Sequence, residues 1–399
     1  MPGDVSICLV AGGLEIANIR LQPWRYLLGV GHSLKSRGYA VTLVSDGSRE
    51  PRRESLAGLP LVRLPGVWTF SRGRASFLAG TLKELGPEVI VLHLGLTSFL
   101  HQDFPLWQEW PTVGIFTSPI YNLNQLSRLG WVRIWRERSL VSMHLLGALV
   151  PRKLLREQMR NSGLRTLVVQ TQTTRQQLLE GSLWPGRIEV IPPGVERAWS
   201  NCRPEEAARK RKELGYEPDD EVVAYFGSPA ALRGLPLLIR AINKARCERP
   251  ALKLLALVRK RAGVPGQEPA WRRYSWSKNG SSDYIRWVDE YLSVTELVQC
   301  VAACDLVALP FELVPSDAPL SLLEAQALGK PLVTTRAACL PELVAGGAHY
   351  LVEPGDSDAL ASALLQAVSE LSCRKLVTAP MVRSWQTVGR DWARLLEGL

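Results

Sequence analysis

The chain has no apolar run long enough to cross a membrane. A spanning helix needs about 20 consecutive apolar residues, and polar or charged residues interrupt every apolar stretch of this 399-residue sequence before that length. The first residues, Met1 to Asp4, also lack the basic start and the small-residue cleavage site of a signal peptide. Both absences predict a cytoplasmic protein.

The seven cysteines do not form a metal-binding pattern. Their number is odd and most have apolar neighbours, which predicts reduced thiols in the core. Cys300 and Cys304 are four residues apart on a predicted helix, but no second Cys or His pair follows at the spacing of zinc ligands. We therefore expect no metal site.

The net charge of +10 is concentrated in the first half of the chain. Residues 1–200 contain 23 Lys and Arg against 14 Asp and Glu, whereas the remainder contains 25 against 24. A basic half can face nucleic acid, an anionic bilayer or a phosphorylated substrate, and it can equally serve solubility alone. No nucleic-acid recognition element accompanies it, so nucleic acid is not an expected partner.

Strands and helices alternate along the chain in two series. In the first, a strand at 5–10 leads through Gly12 and Gly13 into a helix at 24–37. Further apolar strands are predicted at 40–45, 61–64, 89–93, 113–116, 167–170 and 188–191. The second series has strands at 222–227, 252–258, 284–288, 306–309 and 332–334, with helices at 235–245 and 294–303. Such alternation predicts parallel sheets covered on both faces.

A polar, charge-dense stretch at 196–220 separates the two series. Two domains are also expected from the length, which exceeds the usual size of one core. We predict an α/β protein with two doubly wound domains, at 1–195 and 196–375, and a long loop at 260–283. Ligands of such sheets collect beyond the carboxyl ends of the strands, so the site should lie in the cleft between the domains.

The segment 315–333 indicates what that cleft binds. A Pro-Ser-Asp turn opens a helix, and the free amides and positive dipole end of a helix start favour phosphate. Glu324 stands further along the same helix, where its carboxylate can accept hydrogen bonds from sugar hydroxyls. Together these features suit a nucleotide diphosphate.

Four blocks of the second half resemble the retaining nucleotide-sugar glycosyltransferases of the GT-B fold, specifically glycosyltransferase family 4. They are the strand end at 224–228, the turn at 233–234, the segment 305–310, and the Glu-Ala to Pro-Glu core at 324–342. The blocks occur in the family's order and spacing, and the resemblance extends over almost the whole chain. It implies two Rossmann-like domains facing a cleft, with the acceptor on the first domain and the nucleotide sugar on the second. The segment 376–399 resembles the family's last helix, which crosses back to the first domain.

The resemblance also implies roles for individual residues. Glu324 matches the second glutamate of the family's Glu-x7-Glu pattern, which holds the ribose hydroxyls, and Arg233 takes the place of a lysine on the donor diphosphate. The remaining predicted donor-binding residues are Gly227, Ser228, Asp317, Ala318, Pro319, Leu320 and Ser321.

Three positions depart from the family pattern. The first glutamate of Glu-x7-Glu falls at Ser316, and the nearest acid is Asp317, in a D-x-P variant of the motif. Asp317 is predicted to contact the donor sugar, to cap its helix, or to do both. Ser228 replaces an arginine and Thr117 replaces a histidine, so the sugar specificity should differ.

On the acceptor side, His93 matches a family histidine at a strand end and is, with Asp317, the predicted catalytic residue. Thr117 and Ser118 are predicted to line the cleft. Gly12 and Gly13 either admit a phosphate or the acceptor close to the backbone or form a simple tight turn.

Residues 128–160 combine tryptophan and leucine with eight arginine and lysine residues. This combination suits an anionic membrane surface, and core packing of an amphipathic helix explains the apolar positions equally well.

The resemblance thus implies a metal-independent, retaining transferase without a cofactor, which moves a sugar from a nucleotide-diphosphate sugar to a glycan, lipid-linked or small-molecule acceptor. It would act in the cytoplasm or at the inner face of the cell membrane. Two alternatives are a catalytically silent GT-B binding or partner subunit, and an epimerase or hydrolase of the nucleotide sugar.

Overall fold

A computed structural model describes residues 5–65, 75–101, 108–258, 283–345, 348–372 and 382–399. Two parallel-sheet α/β units follow each other in the chain, as predicted. The predicted loop at 260–283 lies, except for Asp283, outside the described residues.

The first domain is built on an eight-stranded sheet. Its strands are β1 (Ser6–Val10), β2 (Ala40–Ser48), β3 (Arg52–Leu56), β4 (Leu59–Pro65), β5 (Val89–Leu94), β6 (Thr112–Phe116), β7 (Thr166–Val169) and β8 (Arg187–Val190). They are ordered β3-β4-β2-β1-β5-β6-β7-β8 and all pair in parallel except β3 with β4. The central strands are buried on both faces, which explains their continuous apolar sequences.

Eight helices belong to this domain among the described residues. They are α1 (Trp24–Lys35), α2 (Ala75–Leu85), α3 (Ser98–His101), α4 (Leu123–Ser127), α5 (Trp131–Arg136), α6 (Arg138–Leu149), α7 (Arg152–Asn161) and α8 (Gln172–Glu180). The basic segment predicted as one amphipathic region therefore forms the short helices α5 to α7.

The second domain contains a six-stranded parallel sheet. Its strands are β9 (Glu221–Gly227), β10 (Leu252–Val258), β11 (Ile285–Val288), β12 (Leu306–Leu309), β13 (Leu332–Thr335) and β14 (His349–Val352), in the order β11-β10-β9-β12-β13-β14. Its helices are α9 (Pro204–Glu213), α10 (Leu235–Ala245), α11 (Val294–Ala302), α12 (Leu320–Ala327), α13 (Leu340–Val344) and α14 (Ser357–Ser372). Single 3₁₀ turns lie at Arg197–Ser200 and Ala231–Arg233.

The last helix, α15 (Trp385–Glu397), packs against α1 of the first domain. The Trp392 indole donates a hydrogen bond to the Tyr26 hydroxyl at 3.1 Å, and that hydroxyl donates to the Ile191 carbonyl at 2.8 Å. The Ser33 hydroxyl donates to the Trp385 carbonyl at 2.8 Å. The end of the chain is thereby fixed to the domain with which the chain begins.

The described cysteines are free thiols. Cys8, Cys300, Cys304 and Cys339 are buried as predicted, but Cys247 lies on the surface. In the described part of the chain, no helix combines the length and the apolarity that crossing a bilayer requires.

Candidate active site

The candidate site lies where the carboxyl ends of the two sheets face each other. Strand β9 ends at Gly227, whose φ of +134° turns the chain out of the sheet. The turn then reaches Arg233 and Gly234, where φ is +89° and an added Cβ would lie 1.8 Å from the Pro310 carbonyl oxygen. Only glycine, which has no Cβ, allows the chain to pass so close to Pro310. This close contact places the preceding Arg233 at the edge of the sheet.

Arg233 presents a half-buried guanidinium that has no acidic partner among the described residues. Its central carbon lies 5.1 Å from the centroid of the Phe311 ring, and Nη2 lies 3.7 Å from the position of a Cβ on Gly227. Burial lowers the pKa of Arg233 from its ordinary value. Because a buried cation is costly without a counter-charge, this position favours an anionic ligand.

Ser228 organises the same turn through its backbone and hydroxyl. Its carbonyl accepts a hydrogen bond from the Tyr225 hydroxyl at 2.7 Å, and its Oγ accepts from the Ala230 amide at 3.4 Å. The position where the family has an arginine is thus occupied by a short residue that stabilises the loop.

Helix α12 begins after Pro319, which supplies no side-chain cap. The nearby Ala318 carbonyl accepts a hydrogen bond from Gln22 Nε2 of the first domain at 3.3 Å. The buried Ser321 Oγ has no hydrogen-bond partner within the described ranges. The start of this helix, with Leu320 and Ser321, therefore follows a residue that contacts the first domain.

Glu324 is bound by an arginine that the sequence did not predict. Its side chain is buried and Oε1 lies 2.6 Å from Nη2 of Arg25, which belongs to α1 of the first domain. Arg25 also pairs with Glu196. Burial lowers the pKa of Arg25, but the charges of Glu324 and Glu196 outweigh it and raise the pKa above its ordinary value. Glu324, the residue predicted to bind the ribose, thus forms an ion pair between the domains.

Asp317 also bridges the domains. Its Oδ1 accepts a hydrogen bond from the Thr171 hydroxyl at 2.6 Å and another from the Thr174 hydroxyl, while Oδ2 accepts from the Gln170 amide at 2.7 Å. The Asp317 amide donates to the Thr117 carbonyl at 2.7 Å. Asp317 therefore binds the residues at the start of α8 in the first domain and does not cap its own helix, and its contact with a donor sugar stays a prediction.

Burial raises the pKa of Asp317 to about 6, although its hydrogen bonds to Thr171, Thr174 and Gln170 oppose that change. A second carboxylate from the same domain joins it at the start of α8. Glu342 accepts hydrogen bonds from the Gln172 amide at 2.7 Å and from the Thr173 amide and hydroxyl at 2.8 Å. The positive end of a helix favours such carboxylates.

His93 and Thr117 lie next to each other at the ends of neighbouring strands. His93 Nε2 lies 2.9 Å from Thr117 Oγ1, and burial lowers the pKa of His93 to about 4. The imidazole is therefore neutral at physiological pH.

The Gly12-Gly13 turn is closed by side chains of its own domain. The Gly12 carbonyl accepts from the Trp24 indole at 2.9 Å, and the Gly13 amide donates to Asp46 Oδ1 at 2.7 Å. The Gly13 carbonyl accepts from Asn18 Nδ2 at 3.1 Å. This geometry favours the tight-turn interpretation over an open phosphate cradle.

Several buried polar atoms at the domain interface have no partner in the part of the chain that is described. They are Oε1 of Gln22, both side-chain amide atoms of Gln170, and the hydroxyl of Ser321. Buried polar groups are nearly always hydrogen-bonded in proteins. A polar ligand or water molecules can satisfy these atoms.

Residues 220–370 match the family described as glycosyl transferases group 1. A D-inositol 3-phosphate glycosyltransferase of Segniliparus rotundus is 32% identical over 162 residues, which is 40% of this chain and 34% of that protein. Proteins of the same name are similar over more of the chain. The one from Corynebacterium glutamicum is 29% identical over 85% of this chain and 82% of its own length, and the one from Acidothermus cellulolyticus is 25% identical over 90% and 78%.

Solved structures share the fold over nearly the whole chain. Anabaena Alr3699/HepE, solved in complex with UDP and glucose, has a TM-score of 0.65 at 16% identity and covers 99% of this chain and 100% of its own. Sucrose-phosphate synthase from Thermosynechococcus elongatus has a TM-score of 0.69 at 15% identity, with 99% and 98% covered. The chain has the GT-B fold, and the match to the group 1 glycosyl transferases lies within its second domain.

Proposed function

We propose that this chain is a retaining glycosyltransferase that moves a sugar from a nucleotide-diphosphate sugar to an acceptor on the first domain. The observation that carries the proposal is the arrangement at the domain interface, where the guanidinium of Arg233, the Ser321 hydroxyl and the carboxylate of Glu324 belong to one edge of the second sheet. The Ser321 hydroxyl has no partner among the residues that the structure describes. The cation and the helix start would bind the diphosphate of one ligand, and the carboxylate would accept hydrogen bonds from its ribose. The UDP and UDP-glucose complexes of Alr3699/HepE support this class of donor.

The diphosphate would be held without a metal ion. Arg233 can bind two phosphate oxygens at once, and the first amides of α12, at Leu320 and Ser321, add the positive field of a helix start. These groups supply the charge stabilisation that a divalent cation gives in other transferases.

Binding of the ribose would change the contact between the domains. Glu324 is paired with Arg25 of the first domain, so hydrogen bonds from ribose hydroxyls have to replace or share this ion pair. Nucleotide binding is thereby coupled to the distance between the two domains.

The chemical step would rely on positioning rather than on a protein nucleophile. In a retaining transfer of this kind the acceptor hydroxyl attacks on the face that the diphosphate leaves, and the leaving phosphate takes the proton. The protein then holds both substrates and stabilises charge. The neutral His93, hydrogen-bonded to Thr117, would act as a hydrogen-bonding group on the acceptor side, and Asp317 would contact the donor sugar after the domains separate.

The acceptor would be a glycan or a lipid-linked molecule presented at the inner face of the cell membrane. Among the described residues, most of the exposed large apolar side chains lie on α4 to α7 of the first domain, and we call them the apolar-basic surface. They are Leu123, Trp131, Val132, Trp135, Met143, Leu146, Leu149 and Leu154. The segment 123–160 also contains eight Arg and Lys against two Glu, which suits an interface with anionic lipid.

Calorimetric titration with UDP, GDP, ADP and their glucose conjugates tests the donor site. We expect one nucleoside diphosphate to bind in the presence of EDTA, and Arg233→Ala and Glu324→Gln each to weaken it at least tenfold. Arg249→Ala, at a surface ion pair with Glu221 on the far end of β9, is the matched control. Unchanged binding in both site variants would overturn the assignment.

Product analysis separates the proposed reaction from its alternatives. Transfer to an acceptor with retained anomeric configuration supports the transferase, whereas a changed or hydrolysed sugar nucleotide without acceptor indicates an epimerase or hydrolase. Tight nucleotide binding without any turnover indicates a silent subunit, a role that the engagement of Asp317 in contacts between the domains would suit.

A further inference from the structure

We propose that two adjoining cavities of the first domain form a binding site for an amphiphilic acceptor, with one hydroxyl group of its polar head in the smaller cavity and its alkyl chain in the larger one. The proposal rests on the proposed transferase function for the role of the ligand, but its binding can be measured without turnover. The two cavities adjoin, because Leu96 and Tyr121 belong to the lining of both, and one molecule would occupy both.

The larger cavity has the walls that a hydrocarbon chain requires. Its volume is about 220 Å³, and Leu96, Ile120, Val150, Leu155 and Leu183 form much of its lining. An apolar cavity of about 150 Å³ is already large enough to bind benzene. The larger cavity therefore has room for a short alkyl segment.

The mouth of this cavity reaches the surface beside the apolar-basic surface. Asn122, Leu123, Asn124 and Arg152 line the cavity and are exposed. Leu123 belongs to both the mouth and the apolar-basic surface. A chain that enters here would pass from a bilayer into the protein without crossing water, and Arg152 would lie at the level of anionic headgroups.

The smaller cavity contains a polar group that the hydroxyl group of a ligand can satisfy. Its volume is about 30 Å³, and Thr97, Ser118 and His144 are in its lining. Thr97 is 7% exposed, and its hydroxyl has no hydrogen-bond partner in the described residues. An unsatisfied buried hydroxyl costs free energy. A hydroxyl of the acceptor would satisfy it.

The smaller cavity borders the turn that opens the donor helix. The Tyr121 hydroxyl accepts from the Val314 amide at 2.9 Å and donates to the Val314 carbonyl at 3.0 Å. Ser118 follows Thr117, whose carbonyl accepts from the Asp317 amide. A head-group hydroxyl in this cavity would thus lie beside the donor domain, and the alkyl chain would point away from it.

Binding of octyl β-glucoside, kept below its critical micelle concentration, tests the inference against glucose as the tail-free probe. We expect the wild-type protein to bind octyl glucoside at least tenfold more tightly than glucose, because burial of each methylene group is favourable. Ala148→Phe fills the larger cavity and should weaken the binding of octyl glucoside at least tenfold. Ala208→Phe, on an exposed position of α9, should change nothing.

Thr97→Val tests the head-group contact. It should weaken octyl glucoside about fivefold or more, yet the melting temperature should stay equal or rise because an unpaired buried hydroxyl is removed. A purely structural threonine would instead lower the melting temperature and leave binding intact.

The proposal is overturned if octyl glucoside binds no better than glucose, if it does not bind at all, or if Ala148→Phe binds it like the wild type. Nucleotide titration of the same variants keeps this result separate from the donor site. Normal nucleotide binding with failed octyl glucoside binding refutes the cavity site alone, whereas the reverse result refutes the proposed donor site alone.

Discussion

The Asp317 carboxylate of the second domain accepts a hydrogen bond of 2.6 Å from the Thr171 hydroxyl, the N-cap residue of α8 in the first domain. Thr171 Oγ1 also accepts from the Thr174 amide at 3.2 Å, so one threonine caps its own helix and binds the other domain. With Glu342 at the next amides, two carboxylates fix the position of one domain at a helix end of the other. The contact between the domains therefore depends on Asp317 and Glu342.

The burial of Asp317 predicts a pH dependence of stability. Its pKa is raised from the ordinary 3.8 to about 6, so the folded chain holds the proton more tightly than the unfolded chain. This contribution to stability is fully present below pH 4 and is lost as the pH rises through 6, by about 3 kcal/mol. Asp317→Asn should remove it.

Denaturant unfolding of the wild type and of Asp317→Asn at pH 4.5, 5.5 and 7 measures the difference. As the pH rises, the free energy of unfolding of the variant should increase relative to that of the wild type. Burial lowers the pKa values of His93 and His144 to about 4, so both residues lower the free energy of unfolding in acid. This effect is the same in the wild type and in the variant. A difference that does not change with pH would contradict the prediction.

The ion pair between Arg25 and Glu324 predicts strong coupling in a double-mutant cycle. Arg25→Gln removes the arginine that pairs with the buried Glu324 and should cost about 3 kcal/mol. Glu324→Gln should cost less, because Arg25 keeps its ion pair with Glu196. The double variant should cost clearly less than the sum of the two. Urea unfolding of the four proteins gives the coupling energy.

Glu196→Gln is the control for this cycle, because Glu196 also pairs with Arg25 but is more exposed. Its cost should be well below that of Glu324→Gln. Additive effects of Arg25→Gln and Glu324→Gln would show that the two charges do not stabilise each other.

Gly234 should tolerate no side chain. Its positive φ already disfavours alanine, and the added Cβ would lie 1.8 Å from the Pro310 carbonyl. Gly58 has a similar φ of +81° with nothing within 4 Å of the added Cβ, so Gly58→Ala measures the backbone strain alone, about 1 kcal/mol. We expect Gly234→Ala to cost more than 4 kcal/mol or to prevent folding of the second domain. Equal melting temperatures for the two variants would contradict the proposed close approach.

The sequence predicted the layered architecture because parallel strands that are buried on both faces have continuous apolar sequences. It missed β3 and β14, two short strands at sheet edges. Arg52–Leu56 is mostly polar and pairs antiparallel at the edge, and three of the four residues of His349–Val352 are only half-buried. Edge strands carry neither the length nor the apolar pattern that identifies a central strand.

The sequence also predicted roles for Glu324 and Arg233, from a helix start and a turn that local sequence determines, and these roles stay predictions. It could not predict that Arg25 pairs with Glu324, or that Thr171 binds Asp317, across the interface. Thr171 is 146 residues away from Asp317 in the chain, and only the packing of the two domains brings them together. No local pattern marks a side chain for such a contact, although an arginine in the first turn of α1, where no acid is present, was an available signal.

The apolar-basic surface predicts binding to anionic vesicles. Trp131 and Trp135 are each 72% exposed, and the Arg138 guanidinium lies 5.3 Å from the centroid of the Trp135 ring. Tryptophan and arginine side chains together favour the headgroup region of a bilayer. Co-sedimentation with phosphatidylserine vesicles should show binding that decreases with salt, because the electrostatic part is screened, and that is weak on phosphatidylcholine alone.

Replacing both tryptophans with alanine should reduce the partition coefficient at least tenfold, since two large aromatic groups no longer enter the interface. Leu179→Ala, an exposed apolar side chain of α8 outside this surface, is the control and should bind like the wild type. If the double variant sediments with vesicles as the wild type does, these helices do not face the membrane, and the acceptor would then have to reach the first domain from solution.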